Sequence, residues 1–550
     1  MTKSLAGNTT IESDLIIEGG TLDLLDYSAD RGSGGGSISI EAGAALKIGG
    51  TNSFPLNYET HVLATTSTVE YNGANQTVAF EGYGNLTLSS ASGTITKTLP
   101  SDALTIAGNF TTSVSAGTLD FTAANNIDVL GDITLGASST FNGSTFSHST
   151  SGNWTNNGIY SGCGGTFTFN RAGALLSGSG TNNFGDIVVN GSGTSLDMNS
   201  SFSLCGHFAT SGGGSFTHTS GGSGFFSMSG VSKTISGSNI SFSDFSVTVS
   251  GTVSTTSTLI VAGEFVADGA FTATAGTIFF TGASKNISGS AALQFFAVTA
   301  TGSILTARDF SISSNFNVSG SFVASAGTGT FNGTSTFSGT ADLFDIQLTS
   351  TATLIMGSSS ILRVAGSTTL DAGGVLNTTS NIPNTINFNG TSAQSVVFTA
   401  FDNLIVSGGN TKTPSAALTI NGDFTIEAAT TFASSTFTHT LGGNWINNGV
   451  FTASTSTIEL IGTNDVSITG ATTFNNLTLN KSTTNEVTLN NDISVALLAM
   501  TSGGMFTGSS TVTITTNRTG SGIIIGSITR THAYSTGVNY EFEGVDNFIN

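Results

Sequence analysis

The sequence predicts an all-β chain wound as a right-handed parallel β-solenoid of roughly 20–26 coils. Three observations predict it. Apolar residues alternate with Ser and Thr, as in Leu86-Thr87-Leu88 and Phe310-Ser311-Ile312, which is the period of a strand with one buried face. Glycine numbers 72 where average usage gives about 38, yet 37% of residues are hydrophobic and 39 are phenylalanine, core material that disordered Gly/Ser tracts lack. Finally, one corner recurs ten times along the chain. Good helix formers such as Lys and Glu are scarce, which excludes a helical architecture. Handedness follows from the general chirality of parallel crossovers.

The clearest corner reads Leu104-Thr105-Ile106-Ala107-Gly108-Asn109-Phe110. Apolar residues stand four and two positions before the glycine, and an aromatic stands two after it. The frame returns at Gly206-His207-Phe208, Gly263-Glu264-Phe265 and Gly422-Asp423-Phe424. Gly131 and Gly366 keep it without the aromatic, and Ser314-Asn315-Phe316 and Asn491-Asp492-Ile493 replace the glycine. Gly152-Asn153-Trp154 and Gly443-Asn444-Trp445 carry tryptophan. In physical terms, a strand points alternate side chains inward, glycine supplies backbone freedom, a polar residue faces water, and the aromatic re-enters the core.

Taken in order, residues 1–67 hold loosely related strands, Thr10-Ile11-Glu12 and Leu15-Ile16-Ile17, and read as N-terminal coils or a cap. The Gly32 to Ser37 stretch is a surface turn and not a phosphate loop, because no helix pattern follows it. Residues 68–518 form the repetitive solenoid. Its landmarks are a strand with a turn, Val69-Glu70-Tyr71-Asn72-Gly73, a short strand, Asn85-Leu86-Thr87-Leu88, and the corner; the first two return at Ile386-Asn387-Phe388-Asn389-Gly390 and Asn403-Leu404-Ile405-Val406. Corner spacing sets units of about 51–57 residues, as in the 57 from Gly206 to Gly263. Shorter steps of 21, Gly131 to Gly152 and Gly422 to Gly443, mark inserted single coils, so the longer unit is expected to hold two coils. Residues 519–550 break the pattern with Arg530-Thr531-His532 and Tyr540-Glu541-Phe542, and read as a C-terminal cap or the start of the next domain.

The formal charge of -20 argues against nucleic acid as a partner, since phosphate binding needs a basic face. No apolar run approaches the roughly 18 residues of a membrane helix. The chain reads as an internal piece of a longer protein. Of its two cysteines, Cys205 takes the slot that Ala107 and Ala262 hold elsewhere and is expected to be a small core residue.

The run Thr68-Val69-Glu70-Tyr71-Asn72-Gly73, then Gly84-Asn85-Leu86-Thr87-Leu88, Lys97-Thr98-Leu99 and Ala103-Leu104-Thr105-Ile106, resembles the strand repeats of large bacterial surface proteins. In broad shape these are similar to filamentous-haemagglutinin and autotransporter-passenger β-solenoid adhesins. The resemblance implies a secreted, extracellular or cell-surface location and an adhesin-like role, with a surface carbohydrate or a cell-surface receptor as partner. It carries over no catalytic residue and implies no cofactor. The leading expectation is a non-enzymatic adhesin or stalk segment. A structural fibre or sheath component and a carbohydrate-active β-helix enzyme are the alternatives.

The candidate ligand-binding residues are Trp154 and Trp445, in FSHSTSGNWTNNGIY at 146–160 and FTHTLGGNWINNGVF at 437–451. An indole on an outer face stacks on a sugar ring, while the inward slot that Phe110 occupies elsewhere makes it core. His148, His439 and His218 recur in similar settings but lie too far apart in sequence to share a metal, and read as hydrogen-bonded wall histidines. For hydrolysis by paired carboxylates, Asp342 with Asp345 and Arg308 beside Asp309 are the nearest approaches. Alternate threonines such as Thr511, Thr513 and Thr515 read as β-formers on a solvated face, their slots shifting from coil to coil.

Overall fold

The computed structural model describes all residues except 199–201, 220–223, 483, 504, 509–511, 518–538 and 544–550. Every regular element among the described residues is a β-strand, and the strands stack in parallel as a β-solenoid of about 25 turns. Contacts divide the chain into two units, Met1–Leu293 and Gln294–Asn550.

From Asn85 onward each coil of the first unit contributes one stretch of strand to each of three parallel sheets. The first sheet runs through Ala45–Ile48, Thr68–Tyr71, Asn85–Ser90, Phe110–Val114, Ile133–Leu135 and Trp154–Asn156. The second runs through Thr94–Thr98, Thr118–Thr122 and Ser139–Asn142, and the third through Leu104–Ile106, Ile127–Val129 and Ser147–Thr150. Within each strand alternate side chains point into a shared core, so Leu86, Phe110, Ile133 and Trp154 form one buried column. Because Ala45–Ile48 already pairs with Thr68–Tyr71, the ladder crosses residue 67 without interruption on this sheet. The 21-residue steps are whole coils, with Ile133 opposite Trp154 and Phe424 opposite Trp445.

The longer unit departs from the expected two coils. On the second sheet Phe202, Phe226, Phe245 and Phe265 stand in register, so three coils separate the first from the last. Phe208, one strand beyond Phe202, lies instead on the third sheet, between Ile187 and Ile235. The 57 residues from Gly206 to Gly263 are therefore three coils less one strand, and the corner moves to the neighbouring sheet. Trp154 on the first sheet, Phe208 on the third and Phe265 on the second complete the round. In the second unit Phe316, Thr368 and Phe424 likewise fall in three different ladders.

The corner itself works differently from the sequence reading. Gly108, Gly131, Gly152, Gly206, Gly263, Gly366, Gly422 and Gly443 all lack a left-handed backbone. They are glycine because the coil beneath is too close: a Cβ at Gly108 would sit under 3.0 Å from Asn85 Oδ1, and one at Gly131 under 3.0 Å from Gly108 O. Nor does the next residue simply face water. Asn85 Oδ1 accepts from Asn109 N at 2.8 Å, Asn109 Oδ1 from Asp132 N at 2.8 Å, Asp132 Oδ1 from Asn153 N at 2.7 Å and Asn153 Oδ1 from Leu175 N at 3.0 Å. Each side chain caps an amide of the following coil where the chain leaves the ladder. Asn403, Asp423 and Asn444 repeat this in the second unit.

The ladder is broken in both units. Tyr58–Leu63 pairs with Gly35–Ile40 on one side and, among the described residues, with no strand on the other. Thr368–Leu370 and Val375–Asn377 are open in the same way. The next coil begins each time with an Asn-Gly turn whose glutamine reaches back across the gap. Gln76 Nε2 donates to Ile48 O at 2.8 Å and Asn52 O at 2.9 Å; Gln394 Nε2 donates to Val364 O at 2.9 Å and Gly366 O at 2.8 Å. Lys97 and Lys412 then stack in register on these glutamines.

Candidate functional site

Both tryptophans are in the core. Trp154 is 0% exposed and Trp445 1%, so neither indole can lie against a sugar, and their place as ligand-binding candidates is corrected to core packing. Trp154 packs edge-on against Tyr160 and Phe167 with centroids 5.0 and 4.9 Å away. The asparagine two residues on explains the repeated Trp-x-Asn. Trp154 Nε1 and Asn156 Nδ2 both donate to Asn182 Oδ1 of the next coil at 3.0 Å. Trp445 Nε1 and Asn447 Nδ2 converge in the same way on Thr472 Oγ1, at 3.2 and 3.0 Å. A buried polar knot therefore satisfies the indole N–H inside the wall.

The histidines also serve the wall. His148 Nδ1 accepts from Ile127 N at 3.2 Å and its Nε2 donates to Gly143 O at 2.9 Å; His439 accepts from Leu418 N at 3.0 Å and donates to Ser434 O at 3.0 Å. Burial lowers the pKa of both, against a smaller raising effect of the carbonyl bond. His148 lies on the third sheet and His218 in the column of Leu196 on the first, so the structure does not bring them together. Among the described residues no group of three or more His, Cys, Asp or Glu side chains is placed to hold a metal.

The carboxylates weighed for hydrolysis are separately engaged. Asp342 pairs with Arg363 of the next coil at 3.0 Å, Asp345 Oδ1 caps Ser367 N, and Asp309 Oδ1 caps Thr328 N at 2.8 Å. Thr87, Thr111, Thr134 and Thr155 stack in single file, so here the threonine slots keep their place from coil to coil. Thr511 lies outside the described residues, as do Arg530, Thr531 and His532. Asn539–Glu543 pairs in parallel with Thr513–Asn517.

Two features escaped the sequence reading. Cys163 and Cys205 form a disulfide with Cα atoms 5.4 Å apart, which corrects the reading of Cys205 as a free core residue. Cys163 sits in a bulge where the strand Ile159–Phe169 shifts register, between Gly162 and Thr166. The bulge carries it past the intervening coil at Gly185 to the coil of Cys205. The second feature is a groove of about 300 Å³ lined by Leu25, Asp26, Tyr27, Gly49, Gly50, Asn72 and Gly73. It combines a phenol, a carboxylate and an amide whose Oδ1, on Asn72, is buried without a hydrogen-bond partner.

No family model, curated protein or solved structure matches this chain. The disulfide had one usable signal, a separation of 42 residues, which is two coils once the coil length is known. The groove had none, since its lining comes from three coils that a linear reading does not align.

Proposed function

We propose that this chain is a non-enzymatic segment of an extracellular surface protein, related in kind to bacterial β-solenoid adhesins, that spaces or displays a binding surface. The observation that carries the reading is the use of its polar side chains. Trp154, Trp445, His148, His439, Lys97, Lys412 and the corner Asn and Asp residues spend their polar groups on hydrogen bonds from coil to coil. The Cys163–Cys205 disulfide supports an oxidising location. Where the segment itself binds, the groove at Tyr27, Asp26 and Asn72 is the proposed place, and a neutral carbohydrate, offered a ring face and hydrogen-bonding groups, is the proposed ligand class.

The test is retention of the purified chain on immobilised polysaccharides and whole cells, with released sugar measured in parallel. Retention without release that is lost in Tyr27→Ala, with folding intact, supports an adhesin segment. Release of soluble sugar overturns the non-enzymatic reading. Absence of both restricts the role to that of a spacer.

A further inference from the structure

The glutamine and lysine at the first break in the ladder form more than a packing contact. Lys97 is 1% exposed and Gln76 3%, on successive coils and in register. Lys97 Nζ lies 2.5 Å from Gln76 Oε1, with Gly73 O at 2.9 Å and Ala74 O at 3.0 Å as its other partners. A C=O bond is about 1.2 Å long, so the amine is within about 3.7 Å of the carboxamide carbon. Oε1 also accepts from Gly73 N at 2.9 Å, a backbone donor aimed at the oxygen on which negative charge develops during attack. The leaving nitrogen is held by Ile48 O and Asn52 O.

We propose that Lys97 and Gln76 are joined by an intramolecular isopeptide bond that staples two successive coils. The neutral amine attacks Gln76 Cδ, the Cδ–Nζ bond forms and the Cδ–Nε2 bond breaks. The Lys97 ammonium first gives one proton to solvent; of the two hydrogens left on the attacking Nζ, one stays in the new amide and the other passes to Nε2, which leaves as ammonia and takes a proton back from water as ammonium. No oxidant or co-reactant is needed. Burial supplies the nucleophile: it lowers the Lys97 pKa to about 8, opposed by the charge of Glu70, so the neutral form is well populated at mildly alkaline pH. Fixed contact replaces a bimolecular encounter, and the dry site protects the product from hydrolysis. Gln394 and Lys412 provide an internal comparison. Gly390 N donates to Gln394 Oε1 at 2.8 Å, but Lys412 Nζ is turned onto Gly390 O at 2.5 Å and Ser392 O at 3.0 Å, so that pair is expected to stay unlinked.

The experiment is intact-mass measurement and peptide mapping of the full chain after reduction, following incubation at pH 6 and at pH 9. The expected result is a mass lower by one ammonia, formed faster at pH 9, and a branched peptide joining the segments of Gln76 and Lys97. Lys97→Met should keep the full mass, and Lys412→Met should still lose ammonia. Full mass retained by the folded wild-type chain at pH 9 overturns the proposal. So does ammonia loss that maps to an Asn-Gly pair in place of the branched peptide.

Discussion

Removing the Trp154 side chain tests the assignment of the tryptophan coil to the core. The indole is fully buried, touches Tyr160, Phe167 and Phe184, and donates to Asn182 Oδ1. Truncating a buried tryptophan to alanine costs about 3–5 kcal/mol in lost transfer energy and cavity. Trp154→Ala belongs near the upper end, because the edge-on aromatic pairs go as well, each contributing about 0.5–1.5 kcal/mol beyond area. Asn182 keeps its second donor, Asn156 Nδ2, so the cost of an orphaned acceptor is avoided. Trp154→Phe retains most of the apolar contact and loses the indole hydrogen bond, for about 1–2 kcal/mol. The assay is guanidinium unfolding followed by circular dichroism. Iodide quenching of the single-tryptophan variants Trp154→Phe and Trp445→Phe complements it, since a core indole is shielded from the ion. If either remaining indole quenched like free tryptophan, the reasoning would fail. It would fail equally if Trp154→Ala left the unfolding midpoint in place while abolishing retention on a polysaccharide.

Asn109→Ala removes the cap on Asp132 N and should cost about 1 kcal/mol, while Asn109→Asp keeps the acceptor and should cost less; differential unfolding of the pair decides whether the ladder acts as described. His148 and His439 have folded pKa values below the unfolded value of about 6.5, so the unfolded chain binds more protons between the two. Their contribution is complete above pH 6.5 and is lost as the pH falls towards the folded values. A pH series of unfolding midpoints should show that loss, and His148→Gln should flatten it. Cys163→Ser should lower stability by about 2–4 kcal/mol through the freed 42-residue loop, and the same loss should appear in the wild type under reductant; equal midpoints with and without reductant would refute the cross-link.

Much of this architecture is legible in the sequence because a strand with one buried face has a period of two, and the corner keeps that phase. The pattern Leu104-x-Ile106 before Gly108 and Phe110 places four landmarks without reference to anything distant, and the structure buries Leu104, Ile106 and Phe110. What a linear reading misses is everything that depends on coil length. The acceptor of the Asp132 amide is Asn109, 23 residues earlier, and nothing local marks that pairing. Counting from corner to corner presumes a return to the same face, and so takes a unit of three coils less one strand for two coils. Lys97 and Lys412, charged residues in short polar runs, give no sign that their ammonium groups turn inward, because the carbonyls that receive them belong to the preceding coil.

The stepping of the corner from sheet to sheet has a bearing on what evolution can place on such a scaffold. A substitution tied to the repeat is copied with it, but successive copies fall on three different sheets. Duplication therefore spreads its copies over all three sheets and cannot, by itself, build an adhesive strip on one of them. Copies facing the same way arise instead where a single coil is inserted, as at Gly131 to Gly152 or Gly422 to Gly443. Coil insertion is the event that would thicken one face, and unit duplication is the event that would lengthen the chain without favouring any side.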